Sequence, residues 1–191
     1  MGKKITYSSI FLAFCASILL VVVFGKSHSK PLPVFGSVSG FQLTDSQGRA
    51  YQAEQLEGKV TIADFFFTSC NGICPVLTRQ MSSLQRRFEG SPEFQLVSIT
   101  VDPENDTPET LAAYASDNHL LLENWALLTG TRTDIRSLLF EQLKIGLPDD
   151  PLTHSDRLVL LDTDLKIRGY YSLSDSDSLQ DLRKDAARLL Q

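Results

Sequence analysis

Two cysteines four residues apart, in Thr68-Ser69-Cys70-Asn71-Gly72-Ile73-Cys74-Pro75, are the residues of this chain best suited to chemistry. They follow a strongly apolar run, Ile62-Ala63-Asp64-Phe65-Phe66-Phe67. A buried strand that ends in a tight turn and opens a helix holds both sulfurs near the helix start. There the helix dipole and unpaired backbone N–H groups favour thiolate over thiol. Thiolates are redox-active and bind soft metals, so the pair is a candidate redox site or metal site. At spacing i, i+4 the two cysteines share one helix face about a turn apart. Alternatively Cys70 lies in the turn and Cys74 alone is helical, and the sulfurs still converge. A C-x-x-C motif places thiols for rapid disulfide exchange, whereas the longer C-x-x-x-C loop leaves room for an ion. Two thiolates suit Cu(I) and also Zn(II), and both metals call for a further ligand.

The chain has three histidines that could supply it. His28 sits in a polar, Pro- and Ser-rich stretch and reads as solvated. His119 follows a helix end in Ser116-Asp117-Asn118-His119-Leu120 and reads as a surface or helix-closing residue. His154 lies in Pro151-Leu152-Thr153-His154-Ser155, a polar turn before a very apolar strand, so the sheet can carry it to one rim. Spacing alone leaves it either a loop histidine bonded to backbone or a ligand.

The elements that position these residues belong to one domain with an appendage, as 191 residues suggest. After Lys3 and Lys4, residues 5–24 are almost wholly apolar. About 20 such residues at 1.5 Å each span a bilayer core. Phe24-Gly25-Lys26-Ser27-His28 offers no small-x-small cleavage site, and Cys15 behind the bulky Phe14 does not look like an acylation cysteine. The expectation is an uncleaved signal anchor with residues 1–4 on the cytoplasmic side, a weak preference because Lys26 and Lys30 follow the span. The domain then lies in the periplasm or an equivalent extracytoplasmic space, bound to the inner membrane by a single pass. With Cys15 in the membrane, the exported part has one cysteine pair, a site rather than a disulfide scaffold. A net charge of −5 and a pI of about 5.2 argue against nucleic acid as a partner.

Residues 25–39, with Pro31, Pro33 and Gly36, read as a linker, and 40–191 as the domain. Phe41–Thr44 with a turn at Gly48 suggests an edge hairpin. Strands are expected over 60–67, 94–101 and 125–128, and helices over 75–88, 107–116 and 133–143. Arg157–Asp162 and Lys166–Ser172 read as a hairpin before a closing helix over 177–190. This alternation predicts an α/β fold: a thioredoxin-like mixed β-sheet flanked by helices, with the thiols at the carboxyl ends of strands. Asp102–Pro108 reads either as a strand exit, with Pro103 turning the chain and Asp106 or Thr107 capping the next helix, or as a site where Asp102 and Glu104 add charge beside a metal rim or to a docking face. Trp125 and Met81 read as core, and Arg79, Arg86 and Arg87 as a solvated helix face.

Four separated motifs, in order, resemble the Sco/SenC family of membrane-anchored copper proteins involved in cytochrome oxidase assembly. They are Phe67-Thr68-Ser69-Cys70 through Cys74-Pro75, the stretch Ser98 to Pro108, Trp125-Ala126-Leu127-Leu128-Thr129-Gly130, and His154-Ser155 before the strand Val159 to Asp162. The resemblance covers roughly Phe41 to the C-terminus. It implies copper ligation by Cys70, Cys74 and His154, with Cu(I) as the bound ion and Cu(II) as a further state. Two departures stand out. The family's loop usually reads Cys-Pro-Asp-x-Cys where this chain has Asn71-Gly72, and the residue before the histidine is often Asp where this chain has Thr153.

The resemblance points to a metallochaperone rather than an enzyme. Its acceptor would be an exported protein, by resemblance subunit II of cytochrome c oxidase with its CuA centre. The membrane tether would raise the local concentration for such an acceptor. The alternative is a thiol–disulfide oxidoreductase, with Cys70 attacking and Cys74 resolving, that reduces the acceptor's cysteines. A peroxidase would need an activating Arg or Gln/Trp set, and no such arrangement is evident. A copper or redox sensor signalling through the anchor is a fourth reading.

Overall fold

The computed structural model describes residues 31–146 and 156–191. The expected anchor over 5–24, its flank 1–4, residues 25–30 of the linker, and Cys15, His28 and His154 all lie outside the described residues. Among the described residues, no helix is long and apolar enough to cross a membrane.

Eight strands form one mixed sheet: β1 (Gly36–Ser37), β2 (Gln42–Asp45), β3 (Ala50–Gln52), β4 (Val60–Phe66), β5 (Phe94–Thr100), β6 (Trp125–Thr129), β7 (Arg157–Leu161) and β8 (Lys166–Ser172). Their order across the sheet is β1-β8-β7-β4-β5-β6-β2-β3. β4, β5 and β6 run parallel, and the outer strands pair antiparallel. The helices are α1 (Cys74–Arg87), α2 (Pro108–Asp117), α3 (Arg132–Arg136) and α4 (Ser176–Leu189).

Every residue of β4 is buried because helices or loops cover both faces, which explains its near-continuous apolar sequence. Ile62 and Phe66 face one core with Leu77, Met81, Leu84, Leu111, Leu179 and Leu182 of α1, α2 and α4. Ala63 and Phe65 face the other, with Leu43 and with Ile135, Leu138 and Leu139. By strand alternation Asp64 points to the same side as Ile62 and Phe66. Central parallel strands therefore aim their carboxyl ends, and the turn after β4, at one rim of the sheet.

The helix expected over 133–143 changes pitch: α3 passes into a π-helical turn over Ser137–Gln142, closed by Leu143 N–H donating to the Leu138 carbonyl. The expected linker also ends early. Phe35 N–H donates to the Ile167 carbonyl and Val38 N–H to the Leu165 carbonyl, both at 2.9 Å, and the Phe35 ring lies 5.5 Å from that of Tyr170. Beside this pairing the register shifts between β7 and β8, where Leu160 faces Gly169 and Leu161 faces Ile167. The extra residue is Arg168, and bulges re-aim side chains. Its guanidinium reaches Asp162 at 2.7 Å and the Leu32 carbonyl at 2.5 Å. A Pro- and Ser-rich composition carries no sign of such a long-range clip.

Candidate metal centre

The chain leaves β4 at Phe66, turns with Cys70 N–H donating to the Phe67 carbonyl at 3.2 Å, and enters α1 at Cys74. Of the two arrangements the spacing admits, the structure therefore has Cys70 in the turn and only Cys74 helical. Both are free thiols, Cys70 half-buried and Cys74 buried. The start of α1 has Pro75 in its first turn and Ile73 as N-cap, with no side-chain cap. The Cys70 sulfur takes that place, accepting from the backbone N–H groups of Cys74, Gly72 and Ile73 and from the Cys74 thiol.

This arrangement splits the two thiols. Burial works against the Cys70 thiolate, but the hydrogen bonds from Cys74, Gly72 and Ile73 outweigh it and lower its pKa. Cys74 is pushed up to about 12, first by burial, then by donating its own proton to Cys70, with the charges of Cys70 and Asp64 adding to the effect. The hydrogen bonds thus favour the charge on Cys70 over Cys74, and Cys74 is the thiol that holds its proton longer. We predict that iodoacetamide labels Cys70 first and leaves Cys74 largely unmodified until the protein unfolds, as followed by mass spectrometry over time. Equal labelling rates would contradict this asymmetry.

Two groups that sequence reasoning did not single out, the half-buried Tyr114 and the buried Asp64, lie near Cys74. Tyr114 of α2 shares a 2.7 Å hydrogen bond with Thr78 of α1 and packs its ring 5.3 Å from that of Phe66. Asp64 is buried and accepts from the Ser98 hydroxyl, which in turn accepts from the Trp125 indole N–H at 2.8 Å. Burial pushes the Asp64 carboxyl up to about 7. The signal available for Asp64 was an acid inside an otherwise apolar strand.

The other sequence-predicted residues are placed as follows. Met81 is fully buried core, and Trp125 is buried core that also donates to Ser98. His119 is exposed and closes α2 in a left-handed conformation with φ 53°. Arg79, Arg86 and Arg87 are exposed. Glu104 is exposed and pairs with Arg132, whose Nε donates at 2.8 Å, and Asp102 accepts from Asn105 Nδ2 at 2.8 Å. Thr107 caps α2 by accepting from Thr110 N–H, whereas Asp106 turns inward to Thr68 and Thr100, so the capping expectation holds for Thr107 and fails for Asp106. A Cβ on Gly72 would meet the Cys70 sulfur at 4.0 Å, an ordinary contact, so glycine here is not required sterically. Its effect is to leave the sulfur without an adjacent carboxylate.

Among the described residues, no group of three His, Cys, Asp or Glu side chains is placed to hold a metal. The donors present, two thiols at a helix start, fit a soft ion and lack one partner. The β4/β7 register pairs Ala63 with Val159, antiparallel, so β7 begins at the rim where β4 ends and the thiol turn lies. Asp156 anchors the entry to β7 by accepting from Ser172 Oγ and from Ser174 N–H.

Comparison with known proteins places this geometry in context. The family model described as SCO1/SenC matches residues 34–191. The SCO1 protein homolog of Bacillus subtilis (strain 168) is 30% identical over 189 residues, covering 96% of this chain and 94% of that protein. The structure of BsSco, a member of the Sco family of cytochrome c oxidase assembly proteins in which a disulfide switch is described, superposes with a TM-score of 0.74 at 27% identity, covering 85% of this chain and 98% of that one. That of Bradyrhizobium japonicum ScoI with copper bound gives a TM-score of 0.62 at 25% identity, covering 78% and 98%. The match runs through β1 to α4 and includes the thiol turn, and the chain belongs to the SCO1/SenC family.

Proposed function

We propose that this protein is a membrane-anchored copper metallochaperone that binds Cu(I) through Cys70, Cys74 and His154 and delivers it to an exported acceptor. The CuA site of cytochrome c oxidase subunit II is the acceptor we favour. The observation that carries the reading is the split thiol pair at the helix start: one sulfur whose thiolate is favoured by hydrogen bonds, the other adjacent and buried. His154 is three residues before Arg157, the first residue of β7, and three residues reach at most about 11 Å. The reading therefore expects the His154 imidazole at the rim that bears the thiols. A copper-bound relative and a family named for oxidase assembly support the choice of metal and acceptor.

Binding releases the protons that the two thiols hold, Cys70 giving its proton up more readily than Cys74, and leaves Cu(I) on two sulfurs and one nitrogen. An acceptor thiolate then enters the open position and takes the ion by stepwise ligand exchange. The anchor over 5–24 holds the domain on the extracytoplasmic face near a membrane-bound acceptor.

The thiol split also favours a second reading, a thiol–disulfide oxidoreductase. Cys70 would attack an acceptor disulfide and form a mixed disulfide, and Cys74 would displace the acceptor thiolate as the Cys70–Cys74 disulfide closes. Anaerobic Cu(I) titration of the wild type and His154→Ala separates the two. The chaperone reading expects a tight 1:1 complex that weakens about tenfold or more, some 1.4 kcal/mol, in His154→Ala, with disulfide exchange spared. Wild-type affinity in the variant would sink the three-ligand site.

A further inference from the structure

We propose that Asp106 is the positioning residue of the thiol site, its buried carboxylate fixing the turn that carries Cys70. Asp106 is 0% exposed. Its oxygens accept from Thr68 N–H at 3.1 and 3.3 Å, from the Thr68 hydroxyl and from the Thr100 hydroxyl. No ion pair to Asp106 occurs among the described residues. Thr68 stands two residues before Cys70, and Thr100 is the β5 partner of Phe66, the last residue of β4. The carboxylate therefore bolts the turn after β4 to the end of β5.

The surrounding segment does not need this group for its own shape. Thr107 caps α2, and the turn out of β5 is closed by Asn105 and Asp106 N–H groups donating to the Asp102 carbonyl at 3.1 and 2.9 Å. A carboxylate taken wholly out of water without a cation is expensive to bury, and neutral donors must satisfy it. Here the donors are the turn residue Thr68 and its neighbour Thr100. What they gain is a fixed path from Phe67 to Cys70, and hence a fixed Cys70–Cys74 sulfur spacing. Groups that hold a metal ligand in place through a hydrogen bond typically change metal affinity about 10–100-fold when removed.

The test uses full-length protein in detergent, with Asp106→Asn, Thr68→Val and Thr68→Ser. Thr68→Val keeps the backbone bond and loses the hydroxyl, while Thr68→Ser keeps both. Cu(I) affinity is read by competition with a chromophoric chelator, and the dithiol–disulfide equilibrium against glutathione is read separately, well below each variant's melting temperature. We expect Asp106→Asn to weaken Cu(I) about 10–100-fold and to shift the disulfide equilibrium constant away from the wild-type value. Thr68→Val should show a smaller change in both, and Thr68→Ser should behave as wild type. The copper readout rests on the function proposed above, and the disulfide readout does not. If the wild type takes no Cu(I), that function fails, and the disulfide equilibrium alone decides the role of Asp106. If Asp106→Asn does not fold, Thr68→Val decides it. Wild-type values for the variants in every available readout overturn the proposal.

Discussion

Cys70→Ser and Cys74→Ser are each expected to lose tight Cu(I) binding, and Cys70→Ser is expected to lose more. A serine hydroxyl stays protonated near neutrality and is a hard donor, so either change would remove one of the two soft ligands of the proposed site. In structural zinc sites about 10–16 kcal/mol is shared among four ligands, so one ligand is worth about 3 kcal/mol, roughly 100-fold. The two variants are not equivalent, because the thiols differ. Cys74→Ser leaves Cys70 with the backbone N–H groups of positions 72, 73 and 74 still turned towards it, which favour its thiolate. Cys70→Ser leaves Cys74, whose burial keeps it protonated, so Cu(I) must first displace a reluctant proton. Competition against a Cu(I) chelator under anaerobic conditions ranks them. Equal losses would mean that the proton on Cys74 does not limit binding, and an unaffected single variant would remove that cysteine from the site.

Much of this architecture was legible because the relevant signals are local. The apolar run of β4, the 3.6-residue spacing of Leu77, Met81, Leu84 and Phe88, and Thr107 before Pro108 each report on a few neighbouring residues. The elements they predict match β4, α1 and α2 to within a residue or two. What escaped depends on contacts between distant positions. Thr68 and Asp106 are 38 residues apart, Leu32 and Arg168 are 136 apart, and no periodicity marks either pair. The pitch change at Ser137–Gln142 is a choice between two helical hydrogen-bond patterns that share one apolar sequence. At the site itself, the cysteine spacing admitted both a shared helix face and a turn-plus-helix arrangement. The second prevails because Pro75 lies in the first turn of α1, so the helix begins at Cys74 and Cys70 is left as its cap.

Asp64→Asn is expected to make the protein more stable above neutral pH and to flatten its stability profile between pH 4 and 7. Unfolded, this carboxyl titrates near 3.8; folded, burial raises it to about 7. Between those values the folded protein holds a proton that the unfolded chain has released, so stability falls as pH rises. The contribution is complete below about pH 4 and gone above about pH 7. Three pH units correspond to about 4 kcal/mol. Asparagine keeps an acceptor for the Ser98 hydroxyl and carries no charge, but its buried amide N–H groups cost about 1–3 kcal/mol where unpaired. The net gain at pH 8 should then be about 1–3 kcal/mol. Urea unfolding of both proteins from pH 4 to 8.5 measures the difference directly, and parallel curves would show that Asp64 ionisation is not linked to folding. The same charge helps keep the Cys74 thiol protonated. Cys74 in Asp64→Asn should therefore alkylate faster than in the wild type at pH 8. A buried acid that weakens the fold at that pH while restraining one thiol of the pair belongs with the site's chemistry, not with its packing.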